Sequence, residues 1–157
     1  LNSSYEMAQP VTFSGDFEIE VEFNCTTLTV GKHLTGAVSS NRYEILFNST
    51  NNIIIYDGSI GQQIVSVSGL SYLDGKLHKA KVTRVGGLQS LFVDGVLLGS
   101  LNTTIGSPTV DVLGSRERNT NFFDGIIANL KFTDQSGASD VTYLISGEEL
   151  QIVTLTA

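Results

Sequence analysis

Apolar residues along this chain recur with a period of two, or in short unbroken runs, and nowhere with the 3.6-residue spacing of an amphipathic helix. Phe17, Ile19, Val21 and Phe23 fall on one face, with Glu18, Glu20 and Glu22 on the other. Tyr43, Ile45 and Phe47 alternate in the same way with Glu44 and Leu46. Residues 53–56 form a run without alternation, as in a strand covered on both faces. Further strands are predicted at 64–67, 78–84, 90–93, 96–98, 110–113, 126–132, 141–145 and 150–155. Turn clusters separate them, among them Ser39-Ser40-Asn41, Asp57-Gly58, Asp74-Gly75, Gly86-Gly87 and Gly106-Ser107-Pro108. About eleven short strands at this spacing predict an all-β, two-sheet antiparallel sandwich. Its predicted core includes Phe17, Ile19, Val21, Phe23, Ala80, Val82, Ile126, Ala128, Leu130 and Phe132. Pro10 and Pro108 fall outside every predicted strand, and residues 1–8 read as a tail.

Two Asp-Gly pairs sharpen the picture. Asp94-Gly95 stands between the apolar runs Leu91-Phe92-Val93 and Val96-Leu97-Leu98, which predicts a two-residue hairpin with both loop residues at positive φ. Asp124-Gly125 leads from Phe122-Phe123 into Ile126-Ile127-Ala128-Asn129-Leu130-Lys131-Phe132 and reads as a second strained turn. The order of four landmarks resembles the laminin G-like, concanavalin A-like jelly rolls. They are Asp16-Phe17-Glu18-Ile19-Glu20-Val21, the stretch 75–84, Leu91-Phe92-Val93-Asp94-Gly95-Val96, and Leu113-Gly114-Ser115-Arg116 followed by Phe123-Asp124-Gly125-Ile126-Ile127. Members often carry a Trp where this chain has Leu77.

The resemblance implies one jelly-roll domain over residues 1–157. Such a domain is usually appended to a larger extracellular enzyme, adhesin or phage protein, binding glycans or other surfaces, sometimes through calcium. The Phe-Asp-Gly-Ile-Ile-Ala-Asn phrase is most similar to phage and marine-bacterial members. The expected location is thus a virion surface or the extracellular space. Animal members usually carry a disulfide near the C-terminus, whereas Cys25 is the only cysteine here and reads as a small buried hydrophobe. The chain starts at Leu1 without an initiator Met, as a piece of something longer would.

Composition narrows the partners. Nine Lys and Arg against sixteen Asp and Glu give a net charge of −7, unfavourable for nucleic acid and for anionic membrane surfaces. The expected partner is a glycan or cell-surface polysaccharide; the alternative is a decoration or fibre domain contacting neighbouring virion subunits. Residues 150–155 discriminate: paired inside the domain they let it stand alone, protruding they dock elsewhere.

Three constellations bear on chemistry. Glu18, Glu20 and Glu22 resemble the Glu-X-Asp-X-Glu signature of a glucanase family with this jelly roll, whose two carboxylates act at the ~5–5.5 Å retaining separation. Here the central residue is Glu20, the strand is near the N-terminus, and no Trp exists to build sugar subsites. A solvated strand face is the better account, and no catalytic residue is assigned. Aspartates 57, 74, 94, 111, 124 and 134 lie near turns, where turn chemistry alone accounts for them; calcium is a possible cofactor with no nameable ligands. His78 reads as a packing or hydrogen-bonding residue at a strand start. The ligand-contact candidates are Arg116, Arg118, Asn119 and Asn121, a loop that gathers guanidinium and amide donors, with Tyr43, and beside it Tyr56 and Tyr72, as stand-ins for the missing Trp platform. Pairing of Arg116 and Arg118 with Glu117 is the competing account of that loop.

Overall fold

A computed structural model describes residues 5–26, 31–48, 52–67, 72, 74–117, 120–134, 141–146 and 149–154; for residues 5, 8, 134, 141–146 and 149–154 the description covers the backbone only. Among the described residues thirteen strands form two antiparallel sheets. In chain order they are β1 (Tyr5–Thr12), β2 (Phe17–Asn24), β3 (Lys32–Gly36), β4 (Tyr43–Phe47), β5 (Ile53–Asp57), β6 (Gln62–Val67), β7 (His78–Val85), β8 (Leu88–Val93), β9 (Val96–Asn102), β10 (Thr109–Leu113), β11 (Ile126–Asp134), β12 (Val141–Ser146) and β13 (Glu149–Thr154). One sheet runs β1-β10-β3-β4-β5-β6 and the other β13-β12-β11-β2-β7-β8-β9.

Period-two alternation builds the core. Phe17, Ile19, Val21 and Phe23 of β2 are completely buried, as are Ala80 and Val82 of β7, and Leu130 and Phe132 join them from β11. They meet Tyr43, Ile45 and Phe47 of β4 and Ile53 and Ile55 of β5 across the sandwich. Burying each large apolar side chain favours folding by about 1.5–3 kcal/mol, so the inner faces hold the sheets together. Facing rings add directionality: Phe17 meets Tyr43 edge-on at 5.3 Å, and Phe23 meets Phe47 at 5.3 Å.

Ile126 and Ala128 depart from the sequence expectation. The β11–β2 register shifts between Ile127, opposite Phe23, and Asn129, opposite Glu22, which leaves Ala128 as an extra residue. That bulge reverses the phase of the strand start. Ile127 turns to the core, Ile126 becomes 62% exposed, and Ala128 is half-buried. The Asp-Gly pairs diverge as well. Asp94 and Gly95 take φ of 50° and 80°, as the hairpin requires. Gly125 stays outside the left-handed region; it is needed because a Cβ there would overlap the Asn24 carbonyl oxygen. Here glycine serves a close approach of two backbones rather than a strained turn.

Two strands escaped the pattern. β1 covers Tyr5 to Ala8 of the supposed tail and includes Pro10, at an irregular pairing with β10 between Glu6 and Val11. Proline is accommodated because β1 is an edge strand with one side free of ladder bonds. β3 is interrupted by a register shift between His33 and Thr35, which hides its alternation. At the other end β13 pairs with β12 throughout Glu149–Thr154, inside the domain.

Candidate functional site

A concave surface of about 410 Å³ lies on the outer face of the six-stranded sheet, lined by His33, Arg42, Glu44, Leu46, Ile54, Tyr56, Gln63 and Arg116. Alternation places most of this lining. Because Tyr43, Ile45 and Phe47 point inward from β4, Glu44 and Leu46 point outward; because Ile53 and Ile55 point inward from β5, Ile54 and Tyr56 point outward. Glu44 and Tyr56 are direct cross-strand partners, and Gln63 lies opposite Tyr56 on β6.

Arg116 arrives from the loop after β10. Gly114, at φ 72°, turns the chain and donates its N–H to the Leu34 carbonyl at 3.0 Å. The loop then crosses β3 at Gly36, where any Cβ would overlap the Ser115 and Arg116 carbonyl oxygens. Its return is tied by Arg116 N–H to Thr120 O (3.2 Å) and Phe123 N–H to Gly114 O (2.8 Å). The missing side chain at Gly36 therefore lets the loop deliver Arg116 over the sheet.

Glu44 is the centre of the site, and its carboxylate is 5% exposed. Arg42 Nε donates to Glu44 Oε1 at 2.7 Å, while the Arg42 guanidinium also stacks 5.6 Å from the centre of the Tyr56 ring. Arg116 Nε lies 3.3 Å and His33 Nδ1 3.5 Å from the same oxygen. Both of these nitrogens are buried, and neither has a hydrogen-bond partner among the described residues. Burial pushes the Glu44 carboxyl above its ordinary range, and the two guanidinium charges offset only part of that rise. Burial, reinforced by Arg116 and Arg42, lowers the His33 imidazole to about 4. The pocket therefore presents two cations, one buried anion and a neutral imidazole beside an aromatic ring and an amide.

Of the residues proposed from sequence, Arg116 lies in this pocket and also pairs with Glu117 at 3.4 Å, as the competing account expected. Arg118 and Asn119 lie outside the described residues. Asn121 is exposed but outside the pocket lining; at φ 57° its carbonyl accepts from His33 N–H at 3.3 Å, so it anchors the start of β3. Tyr43 is withdrawn from the contact set: it is fully buried, and its hydroxyl donates to Gln89 Oε1 at 2.7 Å. Sequence reasoning did not assign Glu44, His33, Arg42 or Gln63 to a site.

The other constellations have structural partners. Glu20 and Glu22 meet Lys79 at 3.2 and 3.4 Å, and Glu18 meets Lys81 at 3.3 Å. Burial raises the Glu20 carboxyl, but the hydrogen bond from Lys79, its contact with Glu18 and the charges of Lys79 and Lys81 bring it below its ordinary value. The described aspartates of the turns have partners within the protein, and the side chain of Asp134 lies outside the description. Asp57 accepts from Ser59, Asp74 and Asp94 flank His78, Asp111 accepts from Val38 N–H, and Asp124 pairs with Lys32. Among the described residues no three His, Cys, Asp or Glu side chains gather around a possible metal ion.

Comparison with known proteins agrees with this architecture. A laminin G-type family model, described as the concanavalin A-like lectin/glucanases superfamily, matches residues 2–138. A comparison with curated proteins found no match. Among solved structures, domains LG4-5 of the mouse laminin alpha1 chain superpose with a TM-score of 0.59 at 16% identity, covering 83% of this chain and 40% of that one. This chain thus spans well under half of that laminin structure. The CBM40 of the Ruminococcus gnavus IT-sialidase superposes with a TM-score of 0.59 at 13% identity, covering 83% of this chain and 89% of that one. The same module also matches as solved with α2,3 and α2,6 sialyllactose. Sheep galectin-11 gives a TM-score of 0.54 at 11% identity, covering 85% of this chain and 99% of its own. At such identities these likenesses concern the fold.

Proposed function

This chain belongs to the concanavalin A-like lectin/glucanases superfamily, and from that premise we propose that it is a non-catalytic glycan-recognition module. The observation that carries the proposal is the pocket on the outer face of the six-stranded sheet. There Arg42 and Arg116 converge on Glu44 beside the Tyr56 ring and the Gln63 amide. Planar guanidinium forks donate to vicinal hydroxyls and carboxylates, a carboxylate and an amide accept from hydroxyls, and an aromatic face receives the C–H side of a sugar. Arg116 is the assigned contact residue, since it is half-exposed and reaches the pocket from a loop. The structures of the CBM40 module bound to sialyllactose lend support by analogy. The setting we propose, a bacterial extracellular protein or a phage virion, rests on the resemblance of residues 123–129. Pairing of β13 within the domain favours a self-sufficient module over a fibre domain that needs its neighbours.

A glycan array comparing the native protein with Arg116→Ala tests the assignment. Binding should weaken at least ~tenfold, about 1.4 kcal/mol, with an almost unchanged thermal midpoint. Retention of the same glycans with equal strength by both proteins would remove the pocket from consideration. Failure of both proteins to retain any glycan would favour the subunit-contact alternative. Release of reducing sugar from glucans that vanishes in Glu18→Gln would restore the glucanase reading.

A further inference from the structure

Resting on the glycan-recognition reading above, we propose that Glu44 is a built-in competitor for the anionic group of an acidic glycan. It would set the pocket's specificity by holding the Arg42 donor and the adjacent Arg116 charge at neutral pH and releasing both guanidinium groups to a ligand carboxylate when it is protonated.

The geometry makes the competition concrete. Glu44 Oε1 takes Arg42 Nε at 2.7 Å and stands 3.3 Å from Arg116 Nε, so one oxygen occupies the space between both cations. An incoming carboxylate would seek those same donors, because a guanidinium fork is the strongest carboxylate partner a protein offers. Charge points the same way. From β3 and β4, His33, Arg42 and Glu44 face the pocket, Tyr56 flanks it from β5, and Arg116 and Glu117 come from the loop after β10. With His33 neutral, Arg42 and Arg116 are balanced by Glu44 and Glu117, so an anion meets no net attraction. One proton on Glu44 leaves an excess positive charge beside a neutral ligand seat.

Two further features favour a switch. Arg116 Nε and His33 Nδ1 are buried without hydrogen-bond partners among the described residues, so the cluster around the carboxylate is incompletely satisfied. Burial also raises the Glu44 carboxyl, so it takes up its proton before a ligand α-carboxyl, whose ordinary value is about 3.3–3.7. His33, lowered to about 4, stays neutral between neutral and mildly acidic pH, which leaves the change there to Glu44.

Calorimetric titration of sialyllactose and of neutral lactose, at about pH 7.5 and about pH 5, into the native protein, Glu44→Gln and Arg116→Ala tests this. Native protein should bind sialyllactose at least ~tenfold more tightly at the lower pH. Glu44→Gln should bind it at neutral pH as tightly as native protein does in acid, with little remaining pH dependence, and lactose should show no such trend. Unchanged neutral-pH affinity in a folded Glu44→Gln, or the same trend with lactose, would overturn the competitor role while leaving glycan recognition intact. Should neither sugar bind at any pH, glycan recognition by these ligands fails. The gate is then read by NMR in the free protein: the Nε resonances of Arg42 and Arg116 should shift with the Glu44 carboxyl titration. Nε signals that ignore that titration would overturn the gate.

Discussion

Removing one oxygen atom from the core, by Tyr43→Phe, separates a structural tyrosine from a sugar-binding one. The Tyr43 hydroxyl donates to Gln89 Oε1 at 2.7 Å, and both residues are fully buried. Gln89 is already committed on its other side, its Nε2 donating to Asp57 Oδ2 at 3.2 Å and to Thr103 Oγ1 at 3.0 Å. Burial, with Asp57 acting in the same direction and Arg84 against it, holds the phenol far above its ordinary value, so it remains a donor at any working pH. Phenylalanine preserves the ring and its edge contact with Phe17 at 5.3 Å, so packing is little altered. What is lost is the donor, and an unsatisfied buried acceptor costs about 1–3 kcal/mol. For a domain of this length each kcal/mol moves the midpoint by about 2–4 °C, giving a fall of roughly 2–12 °C. Thermal unfolding by circular dichroism measures that fall, and the glycan titration on the same sample should show unchanged affinity. A midpoint shifted by less than ~1 °C together with a ~tenfold loss of binding would refute the assignment of Tyr43 to the core network.

Two further outcomes follow from the packing. Phe132, 2% exposed and tilted against Phe13 at 5.5 Å, anchors β11 to the inner face of its sheet; Phe132→Ala should cost about 3–5 kcal/mol in urea unfolding, and a loss below ~1 kcal/mol would contradict its central position. His78 is held between Asp94 Oδ2 at 2.7 Å and Asp74 Oδ1 at 3.0 Å. Burial lowers its value, but the hydrogen bonds to and charges of the two aspartates prevail and raise it above 6.5. A raised folded-state value gives a stabilisation fully present below the unfolded value of about 6.5 and lost as pH rises through the folded one. The midpoint of the native protein relative to His78→Gln should therefore narrow from about pH 6 toward about pH 9, and a gap constant across that range would count against the paired imidazolium.

The sandwich was legible because burial on one face imposes alternation, and β2, β4 and β7 obey it residue by residue. The same rule could have corrected the Tyr43 assignment. Tyr43 shares its face with Ile45 and Phe47, so the pattern that placed those two in the core placed Tyr43 there as well, and turned Glu44 outward. Where the ladder is irregular the signal fails. The bulge at Ala128 reverses the phase of Ile126 and Ile127, and the register breaks in β1 and β3 erase the alternation that would have announced them.

The pocket was harder to foresee for a different reason. His33, Arg42 and Glu44 lie on two neighbouring strands, but Arg116 is more than seventy positions away and reaches them through two backbone features that carry no chemical label. Gly36 permits the loop to cross β3, and Gly114 turns it there. Arginine scarcity singled out Arg116 as a candidate, since concentrated guanidinium groups stand out in a chain of net charge −7. It could not identify the group that Arg116 meets, because strand pairing across β10 and β3 brings Glu44 beneath it. The chemistry of the site thus depends on a pair that only the topology joins: a half-exposed arginine from the loop after β10 and a buried carboxylate from β4. The residues that pack the sheets and the residues that line the pocket alternate along the same strands, so the core pattern and the pocket lining can vary independently.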